Sequence, residues 1–153
     1  MTERKCGGCT ACCKTHAVNS ISKPAGVWCN HCEIAKGCLI NTQKPQACRN
    51  FKCLWLNGFF SEQERPDKTG VVADISEPPI LNQKAILLLG LQSDSLTSDY
   101  AIGLTYCLLK QNLVVVHGRP DGSYNLVFFP SQDSFSRARH DWLEQNGIKT
   151  FVS

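Results

Sequence analysis

The stretch Cys6-Gly-Gly-Cys9-Thr-Ala-Cys12-Cys13, followed by Cys29-Asn-His-Cys32, decides how the first third of this chain folds. A Cys-x-x-Cys turn aims two sulfurs at one point and offers them backbone N–H donors. Nineteen residues separate Cys9 from Cys29, which is the usual gap between the two halves of a four-thiolate zinc site. Cys38, Cys48 and Cys53 follow singly, so nine of the ten cysteines fall between residues 6 and 53. Adjacent cysteines such as Cys12 and Cys13 do not readily chelate one ion together. They suit two neighbouring ions, or one of them bridges.

The surroundings of the cysteines support the same reading. Residues 1–56 are broken by Gly7, Gly8, Pro24, Gly26, Gly37 and Pro45 and lack a long apolar period. Such a segment buries little surface, and metal must supply the folding energy that a core does not. The N-terminus, Met-Thr-Glu-Arg-Lys-Cys, has no apolar region behind its charges, so the expected compartment is the cytoplasm. Thiols stay reduced there, and dense cysteines point to metal rather than disulfides. No apolar run approaches 18 residues, so no membrane span is expected.

The net charge of +3 conceals an asymmetry. Residues 1–53 carry eight basic and two acidic side chains, and residues 54–153 carry eight basic and eleven acidic ones. The first segment is therefore at +6, which would suit nucleic acid. Nine thiolates with two zinc ions bring that segment to +1, and with three to +3. The lysines and arginines balance the cluster, and nucleic acid is not the expected partner. The partner is unknown, with another protein as the candidate, and no membrane is expected.

The metal is expected to be zinc, two or three ions, held by Cys6, Cys9, Cys12, Cys13, Cys29, Cys32, Cys38, Cys48 and Cys53. Iron or an iron–sulfur cluster is the alternative, because Cys6, Cys9 and Cys12 also reproduce the run that wraps a four-iron cluster. The ferredoxin continuation x-x-x-Cys-Pro is missing. His16 and His31 lie within the cluster, and whether either is a ligand stays open. His117 and His140 are read as structural. Cys107 is read as a buried, inert thiol within a helix.

Downstream, Leu54, Trp55, Leu56, Phe59 and Phe60 form an apolar knot that docks the cysteine segment, and residues 61–69 are a polar connection. Strands are expected at Val71–Ile75 and Lys84–Gln92. A helix capped by Ser98 or Asp99 runs to about Gln111, presenting Ala101, Leu104 and Leu108, with Ile102 and Leu109 beside them. Leu113–His117 and Tyr124–Phe129 flank the turn Gly118-Arg-Pro-Asp-Gly-Ser as a hairpin. A last helix, capped by Asp133 or Ser134 and ended by Gly147, presents Phe135, Ala138, Trp142 and Leu143. The expected class is α+β: an irregular metal-stapled cysteine cluster on a small antiparallel sheet, with about two helices on one face. Residues 1–56 form the metal segment. Residues 57–153 form the α+β domain, or join the first segment in one unit.

The cysteine pattern resembles the CxxCxxCC family, a bacterial group described as zinc- or iron-chelating. Its opening motif falls on Cys6, Cys9, Cys12 and Cys13. A later block approximating Cys-x-Ile-Tyr-x-x-Arg-Pro-x-x-Cys-Arg-x-Phe-x-Cys falls on Cys38, Ile40, Pro45, Cys48, Arg49, Phe51 and Cys53. Asn41, Lys44 and Lys52 replace the Tyr, Arg and Pro common there. The resemblance implies a zinc- or iron-binding segment over the first 56 residues.

No phosphate loop, Gly-x-Ser-x-Gly or paired-carboxylate motif occurs, so an enzyme is not favoured. A mainly structural metal cluster is expected, with an iron–sulfur redox or metal-transfer protein as the alternative.

Overall fold

The computed structural model describes residues 3–121 and 123–153. The cysteine segment holds two one-turn helices, α1 (Ala11–Thr15) and α2 (Gln46–Asn50). Between them lies a two-residue ribbon, β1 (Cys32–Glu33) against β2 (Gly37–Cys38). A short helix, α3 (Pro66–Thr69), then leads into β3 (Val71–Ser76) and β4 (Ala85–Gly90). The long helix α4 (Asp99–Lys110) precedes β5 (Val114–Gly118) and β6 (Tyr124–Phe129). Two short helices, α5 (Gln132–Ser136) and α6 (His140–Gln145), and a last strand, β7 (Lys149–Val152), complete the order.

The α+β class holds, but the sheet is mixed rather than antiparallel. Its order is β3-β4-β5-β6-β7. β3 and β4 pair antiparallel, as do β5 and β6, whereas β4–β5 and β6–β7 are parallel. The physical cause is the crossover. α4 carries the chain back along the sheet before β5, and α5 with α6 does so before β7, so each returning strand runs the same way as its predecessor. The four-residue β7 has no apolar run of its own and was not expected from the sequence.

Helices lie on both faces, another departure from expectation. Ala101 and Leu108 of α4 pack with Ile86, Leu88 and Val115. Ala138 and Leu143 pack with Val114, Val116, Val127 and Phe129 on the other side. Alternate residues of β5 thus point into two cores, which is why Val114-Val-Val is an unbroken apolar run.

Ser98 caps α4, its Oγ accepting from Ala101 N–H at 3.2 Å. The expected last helix is split in two and is capped by Ser131, not Asp133 or Ser134. The split has a tertiary cause. Arg139 N–H donates to Ile80 O, and Asn82 Nδ2 donates to Arg137 O, so the backbone between the two helices is tied to the 80–82 loop.

Cys107 is exposed, not buried. The inward face of α4 is Ala101, Thr105 and Leu108, and Cys107 lies one residue off that stripe. Ile102 also faces outward.

The apolar knot docks the cysteine segment on the sheet. Leu54 N–H donates to Ala73 O at 2.9 Å. Trp55, Cys53 and Ala11 pack with Val72 and Leu89 on the same sheet face as α5 and α6, at its β3–β4 end. Phe59 points outward. No helix among the described residues is long and apolar enough to cross a membrane.

Candidate metal centre

The first cysteine turn closes through Cys9 N–H donating to Cys6 O at 2.8 Å. Arg4 anchors the chain just before it, donating to Trp55 O and Phe60 O while its guanidinium lies 5.0 Å over the Trp55 ring. Gly8 is required by crowding: a Cβ there would stand 2.6 Å from Ala35 O. That close approach presses the turn against the β1–β2 ribbon, where Thr10 Oγ1 also accepts from Ala35 N–H.

Cys12 and Cys13 ride on α1. Cys29 N–H donates to Cys13 O at 3.0 Å, bringing the second Cys-x-x-Cys turn beside the helix. That turn closes through Cys32 N–H to Cys29 O, and the ribbon sets Cys32 opposite Cys38. Cys48 sits on α2, held by its N–H to Pro45 O. Cys53 is buried against the sheet.

All nine cysteines are free thiols, and all nine line one cavity of about 800 Å³. Among the described residues, no three His, Cys, Asp or Glu side chains converge closely enough to hold an ion. The sulfurs ring the cavity rather than meeting at a point. As a donor set they fit a soft or borderline metal: thiols in excess, reduced and gathered around shared space.

Burial pushes the thiols of Cys9, Cys48 and Cys53 up, and that of Cys32 up to about 11. Cys13 is raised first by its hydrogen bond with Cys12 and then by burial. Metal-free, these side chains hold their protons at neutral pH. They lack the depressed pKa of a reactive cysteine.

Lys23 was missed at the sequence level. Between Ser22 and Pro24 it reads as a surface lysine, yet only 6% of it is exposed. Its Nζ donates to Lys14 O and His16 O. Among the described residues no carboxylate forms an ion pair with it. It lines the same cavity as Cys12, Cys13, Cys29 and Cys48, and burial lowers its pKa.

His16 lies against the Phe51 ring at 4.2 Å, with Nδ1 2.8 Å from Thr15 Oγ1. Burial, and then Lys23, lower its pKa to about 4. It is neutral near pH 7, so its 4.0 Å separation from Asp74 is not a charged pair there. His31 is exposed at the cavity rim. His117 is buried in the sheet domain, and His140 lies against the Phe135 ring. No family model, curated protein or solved structure matches the chain.

Proposed function

We propose that residues 1–56 form a multinuclear metal–thiolate cluster of the CxxCxxCC kind, with zinc as the metal and a mainly structural role. The observation that carries this is Lys23. A buried ammonium is costly without an opposite charge beside it. Lys23 shares its cavity with Cys12, Cys13, Cys29 and Cys48, which are negative only as thiolates. Thiols raised by burial become thiolates when a dication replaces their protons. Cys6, Cys9, Cys12, Cys13, Cys29, Cys32, Cys38, Cys48 and Cys53 would hold the ions. Bound zinc would supply folding energy to a segment whose own apolar core is small.

The absence of a paired-carboxylate or phosphate-binding motif supports a binding or organising role rather than turnover. Iron–sulfur redox or metal transfer is the second reading, favoured by the run Cys6, Cys9, Cys12. Elemental analysis of reduced, anaerobically purified protein tests both. Two or more zinc ions per chain, in colourless protein, is the expected result. Brown protein with iron, sulfide and a reversible reduction potential supports the second reading. Metal-free protein that stays folded through residue 56 overturns both.

A further inference from the structure

A second cavity, of about 350 Å³, opens at the carboxyl ends of β4 and β5. Gly90 and Gly118, the last residues of those parallel strands, line it. Residues of the loop that leads into α4, among them Gln92, Leu96 and Thr97, form one side. Thr15 and Gly26 of the cysteine segment form another, where Gly26 lies against Pro120. Among the described residues, no cysteine lines it. Open sheets with crossover helices take ligands in the crevice outside the carboxyl ends of their parallel strands. The volume is at the low end of the range that encloses a small molecule.

The walls are apolar and incompletely covered. Leu96, Leu126 and Phe128 are half-buried there, and Ile102 of α4 is 58% exposed. Charge is one-sided. Arg119 lines the cavity, and among the described residues no Asp or Glu does. No carboxylate among them forms an ion pair with Arg119 either. Its guanidinium meets Ser123 Oγ at a long 3.4 Å. Asp121, in the same turn, accepts through Oδ1 from the Ser123 N–H and hydroxyl instead. His117, the other titratable lining group, is held by Thr105 Oγ1 at 2.9 Å. Gln92 and Asn125 also line the cavity, and their side-chain amides have no partner among the described residues.

We propose that this cavity binds a small monocarboxylate with an apolar body. The apolar walls take the body. The planar guanidinium of Arg119 takes the carboxylate, for which its parallel N–H donors are matched. A single lining cation with no lining anion selects one negative charge over a cationic ligand. Gln92 and Asn125 supply neutral hydrogen-bond groups. The site uses no sulfur, so it stands apart from the metal reading.

The test uses the full chain, isotope-labelled and kept reduced, titrated with hexanoate, hexanol and hexylamine while backbone amide resonances are followed. Hexanoate is expected to shift the amides of Gly90, Thr97, Gly118 and Asn125 saturably, and to bind about tenfold or more tighter than hexanol. Hexylamine is expected to leave them in place. Arg119→Gln should reduce hexanoate binding to the level of hexanol, and hexanol binding should not change. Ile102→Trp enlarges a lining side chain at an exposed position, and it should weaken both ligands. Arg137→Gln, which removes a cation outside the cavity, should change neither. Equal binding of hexanoate and hexylamine, or hexanoate binding that Arg119→Gln does not weaken, overturns the assignment. So does the lack of any saturable shift, or inorganic phosphate moving the same amides at lower concentration than hexanoate. Shifts confined to the cysteine segment would put the carboxylate on bound metal and overturn it too. None of these outcomes alters the zinc content on which the metal reading is judged.

Discussion

Thr105 Oγ1 lies 2.9 Å from His117 Nε2 across the α4–β5 interface, and both residues are buried. The Thr105 hydroxyl already donates to Ala101 O at 2.8 Å. It must therefore accept from His117, which places an imidazole proton on Nε2. Burial lowers the pKa of His117 below 6.5. The unfolded chain consequently binds a proton that the folded chain refuses. Stability should rise with pH up to about 6.5 and then flatten, with a slope of at most about 1.4 kcal/mol per pH unit from this group. Denaturant titrations of wild type and His117→Gln between about pH 5 and 7 check the point. The variant should show a flatter profile, and an identical profile would remove His117 as a source of acid lability.

Lys23→Met should weaken the metal-loaded protein more than the metal-free one. Both forms lose hydrogen bonds to Lys14 O and His16 O, a cost of about 1–3 kcal/mol. Only the loaded form also loses a counter-charge to thiolates. We expect zinc affinity to fall about tenfold or more, with Lys36→Met as a control. Lys36 pairs with Glu33 on the exposed ribbon. Equal loss in both forms, read by chelator competition and thermal melts, would make Lys23 a packing residue only.

Two glycines should respond in opposite directions to alanine. Gly26 has φ +76°, and a Cβ there would stand 2.3 Å from Pro120 O. Gly26→Ala should cost about 2–3 kcal/mol and loosen the cysteine segment from the β5–β6 turn. Gly103 lies within α4 with nothing within 4 Å of its added Cβ. Gly103→Ala should stabilise by about 0.5–1 kcal/mol, and equilibrium unfolding reads both changes.

Cys107 is exposed on the outer side of α4. Its replacement by Ala should change stability by less than about 0.5 kcal/mol and leave metal content intact. In zinc-loaded protein a thiol-alkylating reagent should modify this cysteine first. Mass spectrometry showing equal modification of Cys6 and Cys48, which are also exposed, would mean those sulfurs are not metal-bound.

Zinc uptake should release protons, because burial holds several of the metal-free thiols protonated at neutral pH. Apparent affinity should therefore fall steeply as pH drops. Calorimetry in buffers of different ionisation enthalpy measures the protons released, and a count near zero would contradict thiol ligation.

The sequence by itself determined what a few neighbouring residues decide. Ser98 before the Ala101-to-Leu108 stripe set the start of α4. Val114-Val-Val and Tyr124–Phe129 around their turn set the hairpin. The Cys-x-x-Cys turns at Cys6 and Cys29 were legible for the same reason: each is closed by a hydrogen bond across three residues. Only the tertiary structure decided which edge β5 and β7 would join, that Lys23 would be buried at the cavity the cysteines line, and that Cys53 would be buried against the sheet. Those outcomes depend on packing between residues tens of positions apart. Periodicity along the chain carries no record of such partners, because any sulfur at suitable spacing satisfies the local pattern equally well.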